Sequence, residues 1–262
     1  MKSSQADLKK RGFIDETCVK NYLHLTYKEL LNLITSPRAF ERTAAVKLLS
    51  DYVDSLEEVS DILLMTLTQE KSLYTKIEIC KVLENTGVRT ARKMIRYLGN
   101  VGNNQYRYLP QAITKKSSYP LPRDIIARTL GKMSIDILPV MLETLDQSDT
   151  KIIREVIDAI GYMCFYNTIP NKGYVIEKLL MCLDTYYYDD VIRWKIVMAF
   201  SSLREQDVID RLCTISRMDN KELIRNEAKR SLVLINKFIK EPRPSDSEYE
   251  GARLYITENS RH

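Results

Sequence analysis

The sequence predicts an all-α protein, a right-handed α-solenoid of about six stacked helix pairs. Three observations carry that expectation. Apolar residues recur at helical spacing, while strict apolar–polar alternation of β-branched residues is missing. Eight glycines and eight prolines in 262 residues leave little room for the tight turns of a β fold. One helical pattern also returns along the chain at intervals of about 30–47 residues.

Taken in order, residues 1–25 read as a polar segment with a leading helix, the first dozen residues being loose. Thr26 with Glu29, and Ser55 with Glu58, have capping-box spacing, in which hydroxyl and carboxylate satisfy orphan amides at a helix start. Ser36-Pro37 sets a cap residue before a proline at the first helical position. Asp219, three residues before Glu222, opens the last long helix in the same way. Gly87, Gly99 and Gly173 fall between periodic segments, where they end a helix or relax a turn.

The recurring pattern sets an apolar residue and a basic or polar one ahead of a small residue and a terminal core position. It is clearest in Ile192-Arg193-Trp194-Lys195-Ile196-Val197-Met198-Ala199-Phe200 and in Ile224-Arg225-Asn226-Glu227-Ala228. Its terminal core positions are Leu49, Leu83, Leu130, Ile160, Phe200 and Leu232. Second apolar helices are expected between them, over Val59–Leu67, Ala91–Leu98, Ile135–Leu145, Val175–Leu183 and Val208–Ile215. The pattern resembles the second helix of HEAT (armadillo-like) repeats over about residues 26–240, including the Ile-Arg pairs. Thr75 and Pro122 depart from it by standing at apolar positions of the second and third copies. The resemblance implies stacked HEAT-like helix pairs whose second helices line a concave, ligand-receiving face.

Residues 99–122 break the rhythm with Asn100, Asn103, Asn104, Pro110, Ser117, Ser118 and Pro120. They read as an inserted loop holding one short helix, and such long insertions are functional or disordered. From Glu241 to the end, the Pro- and Ser-rich composition reads as a flexible tail.

Composition narrows the function classes. With 44% hydrophobic and 29% charged residues the chain is not wholly disordered. No apolar run reaches the roughly 18 residues of a membrane span. The segment Met1–Asp7 lacks the apolar core of a signal peptide, so a cytoplasmic location is the default expectation. Five scattered cysteines without a CxxC, and only His24 and His262, give no recognised zinc spacing. Nucleotide-binding, zinc-protease and serine-hydrolase signatures are missing, so no catalytic residues and no cofactor are expected. The pairs Asp189-Asp190 and Glu57-Glu58 sit at expected helix starts, where a carboxylate complements the helix dipole.

Charge is uneven. Between Val88 and Lys132 ten cations face only Asp124, so this stretch carries about +9 and the remainder about −4. Arg89, Arg92, Lys93 and Arg96 share one helix face. Arg107, Lys115 and Lys116 are interleaved with Tyr97, Tyr106, Tyr108 and Tyr119. Arg92, Arg96, Tyr106, Arg107, Tyr108, Lys115 and Lys116 therefore form a candidate anion-binding patch, the alternative being a solvated face and a polar loop. Its ligand could be an acidic protein segment, a nucleic-acid backbone or an anionic membrane surface.

The repeat register places Lys81, Arg128 and Arg230, with Lys47, Asp158 and Met198, on the second-helix face. Arg154 and Trp194 join them one step after the arginine position. Trp194, the single tryptophan, is a candidate interface anchor or, alternatively, a packing residue. The resemblance implies inter-repeat hydrogen bonds for Arg193 and Arg225, with partner contact as the other role.

The functional expectation is a non-enzymatic scaffold that holds an acidic protein partner through the repeat face and the basic insertion. The alternative is a nucleic-acid-binding protein similar to HEAT-like alkylpurine DNA glycosylases, in which Trp194 lies beside Arg193, Lys195, Asp189 and Asp190. A relation to HEAT-like phycobilin lyases rests on fold analogy alone.

Overall fold

A computed structural model describes residues 4–52 and 56–240. The expected cap at Ser55, the first three residues and the tail from Glu241 lie outside the described residues. Helices are the only regular elements among those described, in the order of the predicted pairs. The chain divides into two compact units, one ending at Arg96 and the other starting at Tyr97.

In the first unit, α1 (Gln5–Lys10) and α2 (Glu16–Lys20) pack on α4 (Ala39–Leu49), so the leading residues are ordered from Ser4 onward. Gly12, at φ +85°, lets the Arg11 carbonyl accept from the Tyr74 amide at the start of α6 (Leu73–Glu84). Any side chain at Gly12 would collide with Ser72, Thr75 and Thr43. The capping box at Thr26 and Glu29 opens α3 (Tyr27–Leu33) as predicted.

Ser36-Pro37, by contrast, does not start a helix. The Ser36 hydroxyl accepts from the Arg38 amide, and α4 begins two residues later than expected, without a side-chain cap. Thr75, out of pattern in an apolar register, pairs hydroxyl to hydroxyl with Thr43 at 2.8 Å between α4 and α6. Arg42 and Glu70 form a fork of 2.7 and 2.8 Å that ties α4 to the end of α5 (Leu56–Gln69). The unit closes with α7 (Val88–Ile95) against α5.

In the second unit, four second helices pack side by side in sequence order. They are α8 (Ile125–Leu130), α10 (Thr150–Tyr166), α12 (Asp190–Ala199) and α14 (Glu222–Lys240). The first helices form the other layer: α9 (Leu138–Thr144) on α10, α11 (Lys172–Thr185) on α12, and α13 (Gln206–Met218) on α14. This is the helix-pair stacking of an α-solenoid, in which each pair buries its apolar face only against its neighbours.

Leu49, Leu83, Leu130, Ile160 and Phe200 are fully buried, as the register requires, whereas Leu232 is half-buried. In α14 the inward face passes instead through Ser231, Leu234 and Ile235. Two helices outrun their anchors. Met163, Cys164 and Phe165 keep α10 buried beyond Ile160, and α14 continues to Lys240. Gly173, expected in a turn, lies in the first turn of α11. Asp219 accepts from the Lys221 amide just before α14, close to its predicted cap role.

Candidate functional site

The inserted segment is not a detached loop. Residues 100–122 hold no helix, contrary to the expectation of a short one, because prolines and Asn-Ser runs interrupt every potential turn. The segment instead lies along the second-helix face of its own unit.

Its start is tied by Asp124, the single acid of the basic stretch. One carboxylate oxygen caps α8 through the Ile126 and Ala127 amides, at 2.8 and 2.9 Å. The other accepts from Gly99 N and Gln105 Nε2. Gly99 (φ +74°) and Gly102 (φ +82°) supply the left-handed backbone that turns the chain onto the face.

Farther on, three arginines of the face donate to carbonyls of the segment. Arg154 Nη1 reaches Arg107 O at 3.4 Å, and Arg128 Nε reaches Pro122 O at 3.1 Å. Arg230 Nη2 donates to Lys116 O and Ser118 O at 2.9 and 3.1 Å. Two tyrosines anchor the segment. Tyr106 packs edge-on against Trp194, with ring centroids 4.9 Å apart, and carries the Arg123 guanidinium 4.4 Å from its own centroid. Tyr119 is buried between Phe165 and Tyr162, its hydroxyl directed at Gly161.

Trp194 is therefore not an exposed indole. It is only 4% exposed, covered by Tyr106, and its Nε1 donates to Glu227 at 3.3 Å. The residues on either side are equally enclosed. Arg193 pairs with Asp190 on its own helix and reaches Asn220 of the next helix pair, the kind of inter-repeat contact that the resemblance implied, whereas Arg225 donates to Asp219 O within its own pair. Asp189 caps α12 and pairs with Arg154 at 2.6 Å. A base-receiving site built on Trp194 and the aspartates, as in the glycosylase alternative, thus finds its indole covered and Asp189 engaged.

Below the segment lies a buried charge cluster that the sequence reading passed over. Lys195 Nζ sits 2.9 Å from both Glu155 and Asp158. Burial opposes its charge, but the two carboxylates outweigh burial and hold the ammonium above the ordinary lysine range. Two carboxylates share one cation here, so burial pushes Glu155 up to about 7 and raises Asp158 as well. Glu227, beside Arg230 at 2.7 Å, is raised by the same cause. The available signal was the pair Glu155 and Asp158 set three residues apart, hence on one helix face, within the otherwise apolar buried positions Ile153, Val156 and Ile157.

Above the segment the picture reverses. The side chains of Arg107, Lys115 and Lys116 are exposed and make no ion pair among the described residues. Arg107 and Tyr108 line a cleft of about 740 Å³ with Arg154, Tyr186, Tyr188 and Lys221. Tyr188 is 95% exposed, and with Lys221 it was not singled out from the sequence. Arg92 and Arg96 lie on the exposed side of α7, and Lys81 pairs with Glu78 on α6 at 3.0 Å, all in the first unit. Burial pushes the Cys182 thiol up to about 12, which removes its nucleophilic form near neutral pH. No helix among the described residues is long and apolar enough to cross a membrane.

No protein-family model and no curated protein matches the chain. Among solved structures it is similar to an engineered protein at 14% identity, with 80% of this chain and 96% of that one covered and a TM-score of 0.40. It is also similar to a designed armadillo repeat protein at 12% identity, covering 80% and 100%, with a TM-score of 0.35. Likenesses at this level carry nothing about activity.

Proposed function

We propose that this chain is a non-enzymatic binding scaffold whose partner is an acidic protein segment, held against the outer surface of the inserted segment. The observation that carries the reading is the two-sidedness of residues 107–116. Their backbone is fixed on the helix layer through the Arg107 and Lys116 carbonyls, while the Arg107, Lys115 and Lys116 side chains are exposed and unpaired among the described residues. Cations displayed on a fixed backbone lose less conformational freedom on binding than cations on a loose loop. The neighbouring cleft adds Tyr108 and Tyr188, rings suited to an amphipathic contact.

The test uses two labelled probes, an Asp/Glu-rich peptide and a short DNA duplex, over a range of salt. The peptide is expected to bind, and to weaken as screening shortens to roughly 8 Å at physiological ionic strength. Exposed pairs contribute about 0.2–1 kcal/mol each, so replacing Arg107, Lys115 and Lys116 with Gln should cost about tenfold in affinity. Helix content should not change. Preferential binding of the duplex would select the nucleic-acid reading. Equal peptide binding by native and triple-variant protein at low salt would leave the patch as solvated surface.

A further inference from the structure

The inserted segment is held at three points along its main chain. All four second helices contribute to the grip: Arg128 from α8, Arg154 and Tyr166 from α10, Trp194 from α12 and Arg230 from α14. On the segment the three arginines donate to main-chain carbonyls, which every polypeptide carries, and their remaining bonds go to acids of the helix layer. Side-chain recognition is confined to Gln105, whose Nε2 donates to Asp124, and to two aromatic positions, Tyr106 on Trp194 and Tyr119 on Gly161.

The fit is also incomplete on the side of the face. Among the described residues Arg154 Nε, Arg230 Nε and Asp158 Oδ1 are buried without a hydrogen-bond partner, as is the Tyr119 hydroxyl on the side of the segment. Buried polar groups of folded proteins are normally satisfied, so three orphans on the helix side of one contact mark a surface with more bonding capacity than its occupant uses. A cavity of about 130 Å³ remains between the segment and the helices, lined by Asp158, Trp194 and Met198 below and by Tyr106, Thr114 and Pro120 above.

We propose that the second-helix face of the C-terminal unit is a binding groove for an extended, tyrosine-bearing polypeptide segment of another protein, and that residues 104–122 are its resident, exchangeable occupant. The incoming segment would accept from the same arginines through its carbonyls and seat rings where Tyr106 and Tyr119 now lie. This goes beyond the acidic-partner reading and uses the opposite side of the segment. The two fail separately, because the free cations have no part in the groove.

The test uses the full chain and a fluorescein-labelled peptide with the sequence of residues 104–122, followed by anisotropy. In the native protein the tethered resident competes at an effective concentration in the millimolar range, so the peptide should bind weakly. Tyr119→Ser and, separately, Tyr106→Ala each withdraw one anchor from the resident. Release is read independently as faster tryptic cleavage after Lys115 and Lys116 with helical circular dichroism retained. A released variant should bind the peptide at least about tenfold tighter than the native chain. Adding Arg230→Lys should reverse that gain. A peptide with Lys115 and Lys116 replaced by Ala should bind equally, and one with its tyrosines replaced should not. The proposal is overturned if a folded, released variant does not take up the peptide. It is overturned equally if neither variant releases the segment, or if both lose cooperative folding, since the segment is then a permanent part of the unit.

Discussion

Arg230 on α14 donates through Nη2 to the carbonyl of Lys116, 114 residues earlier in the chain, at 2.9 Å. The same guanidinium holds the buried carboxylate of Glu227 through Nη1 at 2.7 Å. One side chain thus neutralises a core charge and fastens the inserted segment, and substitution can separate the two roles. Arg230→Lys keeps a cation beside Glu227 but cannot fork to both carbonyls. It should lower unfolding free energy by only about 1–2 kcal/mol while speeding tryptic cleavage after Lys116. Arg230→Ala leaves Glu227 buried without a cation and should cost about 3–5 kcal/mol. Equal destabilisation by the two, measured by urea titration, would contradict this division.

Gly161 sets how deeply the segment can sit. It lies within α10, where glycine normally weakens a helix by about 1 kcal/mol relative to alanine. A Cβ at this position would run into the Tyr119 hydroxyl and ring. Gly161→Ala should therefore not gain the usual helix stabilisation. It should instead destabilise by about 1–3 kcal/mol through overpacking and lift Tyr119 out of its pocket. Combining it with Tyr119→Ser removes the clash and should recover the loss, which a double-mutant melting cycle would read.

Much of the fold was legible because periodicity is a local signal. The spacing of Leu49, Leu83, Leu130, Ile160 and Phe200 follows from the need of each second helix to bury one stripe, and the structure buries all five. Helix ends were less legible. Nothing local distinguishes the stop after Leu130 from the continuation of α10 past Ile160, which depends on what Phe165 packs against. On the site, the register grouped Lys81, Arg128, Arg154, Trp194 and Arg230 on the second-helix face; the last four contact residues 106–122, and Lys81 lies in the first unit. The register could not show that the chain covers that face with its own residues 104–122. That contact pairs residues as much as 114 positions apart, which no periodicity encodes. For Trp194 the sequence left an interface anchor and a packing residue as alternatives, and the contacts with Tyr106 and Glu227 make it a packing residue.

The Lys195 cluster makes stability depend on pH. Glu155 titrates near 7 in the folded protein and near 4.5 when unperturbed, because burial disfavours its ionised form. A raised carboxyl of this kind contributes stability that is fully present below about 4.5 and is lost as pH climbs to about 7. Asp158 and Glu227, also raised by burial, act in the same direction. Glu155→Gln keeps the shape without the charge and leaves Asp158 to pair with Lys195. It should melt above the native protein at pH 8, with the difference shrinking toward pH 5. A constant offset across that range would show that Glu155 does not change its protonation between pH 5 and 8.

Trp194 offers a direct report on the inserted segment, since it is the single tryptophan of the chain. Its indole is buried, with Tyr106 edge-on at 4.9 Å and Glu227 as the hydrogen-bond acceptor. Emission from the native protein should therefore be blue-shifted and poorly quenched by iodide. Tyr106→Ala removes the cover without touching the helices, so the spectrum should shift to the red and quenching should rise, with circular dichroism unchanged. Trp194→Ala is a different experiment. It opens a cavity among α10, α12 and α14 and strips Glu227 of a donor, so it should cost about 3–5 kcal/mol and cannot serve as a clean probe of partner binding. If Tyr106→Ala leaves emission and quenching as they are, the segment does not shield Trp194. The face would then already be open to solvent, and an incoming polypeptide would have nothing to displace there.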